Sequence, residues 1–255
     1  MSRFASYPSL SGRAVFVSGG GSGIGASIVE HFAAQGARVG FVDIDEAASL
    51  ALVDRVGSAG HPVPLFVGCD VRRIEDYQKA IAGMAAKLGD FTVLINNAAR
   101  DDRHTIDRVT PDFWDERMAV NLRHQYFAIQ SVVPGMRKAG GGSIVNFSSV
   151  SYHVMTPNLS VYQAAKAAVI GMTRGLARDL GPDNIRLNSI TPGWIMTQRQ
   201  IDLWLTPESE AALMAAQCLK EKVYPPDIAR MALWLAADDS RLVTAQNFTV
   251  DGGRS

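Results

Sequence analysis

What most constrains this chain is an alternation that runs from end to end. Short apolar runs rich in Val, Ile and Phe take turns with longer stretches whose apolar residues recur at helical spacing. The runs fall at 13–18 (RAVFVS), 37–42 (ARVGFV), 63–67, 91–96 (FTVLIN), 143–147 (SIVNF), 185–190 and 245–250. Between them, 24–35, 46–56, 72–88, 111–138 and 162–180 carry the helical period. Gly36 ends the first of these helices, and Pro134 is expected to bend or end the fourth. A run without polar alternation is a strand buried on both faces, and a parallel sheet covered by helices on each side provides that burial. The expectation is one α/β domain over residues 1–255, a doubly wound seven-stranded parallel sheet with helices on both faces. No internal repeat, low-complexity segment or linker divides it. Residues 194–223 break the rhythm, being longer than an ordinary connection. They follow the C-terminal end of a strand, where ligands of open α/β sheets sit, so they read as a lid. A surface helical hairpin with only a packing role is the alternative.

The first turn of the sheet is SGGGSGIG. Gly19, Gly23 and Gly25 follow a strand and open a helix, which lets the backbone approach a pyrophosphate while the helix N-terminus offers N–H groups to it. A tight turn alone would also use glycine, but strand before, helix after and a second strand behind make a dinucleotide site of it. Asp43 ends the second strand. A carboxylate there can accept both ribose hydroxyls of an adenosine and repel the 2′-phosphate of NADP, and no Arg or Lys lies between Ser18 and Gly25. NAD is the expected cofactor. The other role open to Asp43 is a helix N-cap, with Asp45 and Glu46 close by.

Composition excludes several classes. Lys plus Arg and Asp plus Glu both total 25, so no basic excess points to nucleic acid or an anionic membrane. No stretch approaches the ~20 apolar residues of a membrane span, and residues 1–10 lack the pattern of a signal peptide. Cys69 and Cys218 make no disulfide framework and no metal-ligand spacing occurs. A cytoplasmic protein with no metal, acting on a small molecule, is the expectation.

Tyr162 and Lys166 stand four apart in YQAAK, on one helix face. A phenol titrating near pH 10 is a poor base at neutral pH, and a nearby ammonium stabilises its anion. The pair can therefore serve as a general base toward an alcohol. Two amphipathic side chains on a helix surface explain the same spacing. Ser149, just past the fifth strand, can hold a substrate oxygen beside the tyrosine or act as a cap. Asn121 lies mid-helix, where Asn is a poor former, and is otherwise a satisfied core amide.

Together these residues resemble the short-chain dehydrogenase/reductase family. Ser18-Gly19 and Gly23-Ile24-Gly25 are similar to its TGxxxGIG loop, Asp70-Val71 to its adenine-contacting Asp after strand three, and Asn96-Asn97-Ala98-Ala99 to NNAG, with Ala99 where Gly is usual. Asn121, Ser149, Tyr162 and Lys166 fall where its Asn-Ser-Tyr-Lys tetrad does, and Pro192-Gly193, with Ile195 and Thr197, resembles the segment beside the nicotinamide. The resemblance implies a Rossmann fold with NAD held by Gly19, Ser22, Gly23, Ile24, Gly25, Asp43, Asp70, Val71, Asn97, Ala98, Tyr162, Lys166, Pro192, Gly193, Ile195 and Thr197. It implies Tyr162 as acid/base, Lys166 on the nicotinamide ribose lowering the tyrosine's pKa, Ser149 orienting the reacting oxygen and Asn121 holding a relay water. It also implies a homotetramer built on the long helices after strands four and five.

A narrower likeness is carried by DDRH (101–104), WDERMAVNLRH (114–124), TPESEA (206–211) and AAQCLK (215–220), which resemble bacterial aldose 1-dehydrogenases of the xylose type. That group oxidises the C1 hydroxyl of a cyclic sugar to a lactone. A buried sugar hydroxyl needs polar partners, and Asp101, His153, Asn158, Trp194 and Gln200 are candidates beside Ser149 and Tyr162, although each is also an ordinary loop-surface residue. The alternatives are a family member acting on a polyol, hydroxy acid, steroid or 3-oxoacyl thioester, and a non-catalytic NAD-binding regulator. The complete tetrad and the lack of a basic patch argue against the regulator.

Overall fold

Residues 4–255 are described by a computed structural model; residues 1–3, part of the 1–10 stretch read for a leader, lie outside them. In chain order the elements are β1 (Ala14–Ser18), α1 (Gly23–Ala34), β2 (Arg38–Asp43), α2 (Glu46–Ser58), β3 (Leu65–Gly68), α3 (Ile74–Leu88) and β4 (Val93–Asn96). Then follow α4 (Pro111–Met118), α5 (His124–Lys138), β5 (Gly142–Phe147), α6 (Ser160–Leu180) and β6 (Ile185–Pro192). Last come α7 (Gln198–Trp204), α8 (Pro207–Ala216), α9 (Pro225–Ala236) and β7 (Asn247–Val250). The strands form one sheet in the order β3-β2-β1-β4-β5-β6-β7, every pair parallel. The expected seven-stranded, doubly wound α/β fold is what forms.

Strand periodicity divides the core. Along β1, Val15 and Val17 join Ile28 and Phe32 of α1 and Ile228 and Leu233 of α9 on one face. Phe16, between them, faces the other way and joins Tyr77 and Ile81 of α3, Ile129 of α5 and Ala177 of α6. Chain order reverses where β1 meets β4, with Ser18 beside Asn96. The carboxyl ends of these two strands open the crevice in which open α/β sheets bind ligands.

Three expectations need correction. The 111–138 helix is interrupted: Ala119–Arg123 makes a π-helical turn between α4 and α5, with Asn121 at its centre. It does not end at Pro134. That residue is exposed, so the carbonyl it leaves without a donor meets water, while buried Val132, Val133 and Met136 hold the helix through to Lys138. The last strand begins at Asn247, because Ala245 takes a left-handed φ of 59° while its N–H bonds the Leu187 carbonyl at 2.7 Å.

The 194–223 excursion folds as α7 and α8. Its base is pinned by a parallel bridge between Ile195 and Val223, with Met196 N–H donating to the Val223 carbonyl at 2.9 Å. Thr197 caps α7, and Thr206 with Ser209 makes a capping box on α8.

Candidate active site

The glycine loop is built by close approach. A Cβ on Gly25 would stand 1.8 Å from the Gly19 carbonyl oxygen, and one on Gly19, whose φ is 67°, would stand 2.8 Å from the Ala98 Cα. Only hydrogen fits at either place. Ser18, in place of the usual Thr, keeps the hydroxyl the loop needs: its Oγ accepts from the N–H groups of Asn97 and Ala98 at 3.1 and 3.2 Å. Asn97 Nδ2 donates back to the Gly19 carbonyl at 2.8 Å. The β1 and β4 turns are thereby clipped together. Ala99 is not among the residues with positive φ, so its side chain meets no backbone strain. At the start of α1, Ser22 makes no side-chain cap and no acid occupies the first turn. The helix N–H groups and the positive end of its dipole face the cavity, a donor set suited to a pyrophosphate.

Asp43 is not a helix cap; Asp45 caps α2, accepting from Ala48 N–H. Asp43 instead accepts from Gly21 N–H at 2.8 Å and Asp45 N–H at 3.0 Å, which aims its carboxylate at the end of the loop. Farther along, Asp70 is bridged by Arg72 through both carboxylate oxygens, and Arg72 also pairs with Glu116. The Arg72 guanidinium holds the Asp70 carboxyl below the usual carboxylate range and is itself neutralised by two acids.

At the ends of β5 and β6 the expected catalytic side chains gather. Ser149 follows β5, and its Oγ accepts from Ser151 N–H at 3.2 Å. Ser148 Oγ donates to the Lys166 carbonyl at 2.7 Å and ties this turn to α6. Lys166 is 1% exposed and its Nζ donates to the Phe147 carbonyl at 2.9 Å. Nζ also stands 5.6 Å from the centre of the Tyr162 ring. Burial pushes Lys166 down to about 7. Burial pushes Tyr162 the other way, above its ordinary value; the Asp101 charge adds to that rise and the Ser149 hydroxyl opposes it. Desolvation of the phenolate is the largest of these influences.

These groups line one cavity of about 980 Å³ that runs from Asp43 and Asp70 past the glycine loop to Ser149, Tyr162 and the 194–204 segment. All sixteen residues expected to hold NAD line it. Of the expected substrate residues, Ser149, Tyr162, Asp101, Asn158, Trp194 and Gln200 line it too. His153 does not. It follows the turn at 150–152, is exposed, and lays its ring on Tyr152 at 4.0 Å, while Val154 and Thr156 turn inward.

Asn121 does not line the cavity either. Its Oδ1 accepts from Arg100 N–H at 2.8 Å, and its Nδ2 donates to the carbonyls of Arg117 and Arg100 at 2.9 and 3.1 Å. The side-chain amide thus fixes the loop after β4.

Sequence reasoning missed several residues. Arg117 is 4% exposed, pairs with Asp102 and Glu116, and lines the cavity. His104 accepts from Val161 N–H at 3.3 Å through Nε2 and donates from Nδ1 to the Asp102 carbonyl at 3.0 Å, so it caps α6 from a distant loop. Tautomer here is assigned from these partners. Arg103 and Arg199 also line the wall. DDRH was visible as a motif, but Asp102 pairs with Arg117, 15 positions away, and Asp101 with Arg199, 98 positions away, where no local spacing points.

The family profile described as enoyl-(acyl carrier protein) reductase matches residues 19–255. A probable galactose dehydrogenase of Rhizobium meliloti is 50% identical over 247 residues, covering 97% of this chain and 96% of that protein. D-xylose 1-dehydrogenase of Caulobacter vibrioides is 48% identical over 250 residues, 98% of each. Among solved structures, 7α-hydroxysteroid dehydrogenase in complex with NADH and 7-oxo glycochenodeoxycholic acid superposes with a TM-score of 0.92 at 31% identity, covering 97% of this chain and 96% of that one. A blue fluorescent protein from a metagenomic library in complex with NADPH gives 0.88 at 33% identity, covering 97% and 99%. With this sheet, this glycine loop and these relatives over nearly its whole length, the chain is an oxidoreductase that belongs to the short-chain dehydrogenase/reductase family.

Proposed function

We propose that this protein oxidises the C1 hydroxyl of a cyclic aldose to the lactone, with NAD as hydride acceptor. The observation that carries the reading is the shared cavity. Residues suited to a dinucleotide line it together with Ser149, Tyr162 and the polar groups Asp101, Asn158 and Gln200. Relatives named for galactose and D-xylose support an aldose over other alcohols.

For the cofactor, Gly19, Ser22, Gly23, Ile24 and Gly25 would hold the pyrophosphate. Asp43 would hold the adenosine ribose, and Asp70 and Val71 the adenine. Asn97, Ala98, Tyr162, Lys166, Pro192, Gly193, Ile195 and Thr197 would hold the nicotinamide half. NAD over NADP is favoured because Asp43 stands at the ribose end and the Arg72 guanidinium is already paired with Asp70 and Glu116. When bound, NAD supplies the acceptor for the hydride leaving C1. The protein's own part is the proton. Ser149 donates to the C1 oxygen and holds it beside the phenol. Tyr162, once deprotonated, takes the hydroxyl proton as the C1 carbonyl forms. Lys166, at about 7, can carry a proton or release one near neutrality. Asn121 and Arg117 position the loop after β4.

The same reading includes assembly as a homotetramer through α4, α5 and α6, supported by Trp114 and Tyr126, 43% and 47% exposed on the first two. Light scattering tests it. It includes a reducing cytoplasmic location, supported by the free Cys69 and Cys218. No helix among the described residues is long and apolar enough to cross a membrane.

The test of function is kcat/KM across D-xylose, L-arabinose, D-galactose, L-fucose, a polyol and a steroid, each with NAD and NADP. The expected result is turnover of at least one aldose, with NAD preferred by at least about tenfold. Turnover of none of the aldoses, or a preference for NADP, refutes the corresponding part.

A further inference from the structure

The reacting end of the cavity is closed by contacts between segments far apart in sequence. Asp101, on the loop after β4, accepts from Gln200 Nε2 at 2.9 Å and forms an ion pair with Arg199, both on α7. Gln200 accepts in turn from the Trp194 indole at 2.9 Å. Asp102 reaches Arg199 at 3.7 Å and is held from behind by buried Arg117. Arg103 lies over the Trp204 ring, 4.8 Å from its centre.

These ties matter because α7 has little else. It is seven residues long and buries none of them, so neither propensity nor an apolar face holds it in place. The base of the lid is fixed by the Ile195–Val223 bridge; its first helix is fixed by Asp101.

We propose that Asp101 and Arg199 form a latch that holds α7 over the reacting end, and that Arg199 is a positioning residue which sets a positive charge beside the acid/base only when the lid is shut. The proposal rests on the reading of Tyr162 as that acid/base. Lys166, on the same helix, stands 5.6 Å from the Tyr162 ring; Asp101 and Arg103 on the loop after β4, Arg199 on α7 and Ser149 at the end of β5 line the same cavity as the phenol. Asp101 favours the protonated phenol, whereas Arg199 and Arg103 favour its anion. An open lid leaves the Asp101 charge facing the phenol with its nearest counter-charge withdrawn. A shut lid pairs it. The base is thereby readied by the same closure that encloses the substrate.

The experiment compares the full-length protein with Arg199→Gln, Asp101→Asn, the double variant and Arg199→Lys. It uses whichever of D-xylose and D-galactose is turned over faster, at saturating NAD, across pH. Each single neutral variant raises the sugar KM about tenfold, the worth of a charged hydrogen bond, with affinity for NADH unchanged by fluorescence. The rising limb of the oxidative rate moves to higher pH in Arg199→Gln, which leaves the Asp101 charge unpaired. Asp101→Asn removes the acid and releases Arg199 together, so its limb stays close to the original place, as does that of the double variant, while KM stays raised in both; Arg199→Lys recovers part of the affinity. Unchanged KM, or an Arg199→Gln limb that coincides with the parent's or moves to lower pH, overturns the latch. Tyr162→Phe separates the two ideas: if it stays active the acid/base reading fails, and if it is inactive while the Arg199→Gln limb coincides with the parent's the latch alone fails.

Discussion

Tyr162 and Lys166 share one face of α6, and burial moves them in opposite senses, the phenol up and the ammonium down to about 7. Both shifts favour the neutral form, so at neutral pH the tyrosine holds its proton. Oxidation needs that proton gone; hence the oxidative rate rises with pH and the reductive rate falls. A stopped assay run in both directions across pH 6–10 checks the sign. Tyr162→Phe removes the acceptor without disturbing the cofactor wall, and is expected to lower kcat by about 10³-fold while NADH still binds. Asp43 is the second residue with a separable role. Asp43→Ala frees the Gly21 and Asp45 N–H groups and withdraws the carboxylate proposed to face the ribose. We expect kcat/KM for NAD to fall about 10- to 100-fold and the preference over NADP to shrink, measured with one sugar and both cofactors.

At the scale of elements, the helix that carries Tyr162 begins without a cap of its own: Leu159 offers no side-chain acceptor, and His104 supplies one from another segment. His104→Ala is expected to cost about 1 kcal/mol, as loss of an N-cap does, and to lower kcat more than it raises KM. Thermal melts and steady-state kinetics on the same preparation check both. The helix itself, and its Tyr and Lys one turn apart, were legible from local spacing, as were the strands and the glycine loop, since periods of 2 and 3.6 and a strand–glycine–helix order are local signals. The His104 cap was not, because it joins positions 57 apart. The π-helical turn left only a faint trace, an Asn inside a helical run. Within it the Asn121 amide is held by the Arg100 backbone, 21 positions away, a tertiary partner that no local spacing shows. Asp101 and Gln200 were legible as polar cavity residues. That they bond each other depends on how the segment after β6 folds back over a different strand end.

Across the whole molecule, two buried bases make stability depend on pH in the same sense. His124 is fully buried on α5, donates from Nε2 to the Ala98 carbonyl at 3.0 Å, and is pushed by desolvation from 6.5 down to about 3. Lys166 falls from 10.5 to about 7. In each case the unfolded chain binds the proton more tightly than the fold does. Between the two values the unfolded state therefore carries more protons, and stability rises with pH. For His124 the window is about 3 to 6.5, so the fold weakens on acidification. For Lys166 the window is about 7 to 10.5; below it the full cost of burying an ammonium is present, and above it the cost is gone. The fold thus holds a base whose charged form its own burial disfavours. Lys166→Met removes the charge and keeps much of the volume, while leaving the Phe147 carbonyl without its donor. The net gain at pH 7 is on the order of 2 kcal/mol, a rise in Tm of roughly 4–8 °C, with catalysis lost. The difference in Tm between the two proteins should shrink steadily from pH 7.5 to 10 and at the upper end pass to zero or reverse. Melting curves at constant ionic strength decide it, and a difference that stays constant across that range would mean that Lys166 is not buried at the expense of its charge.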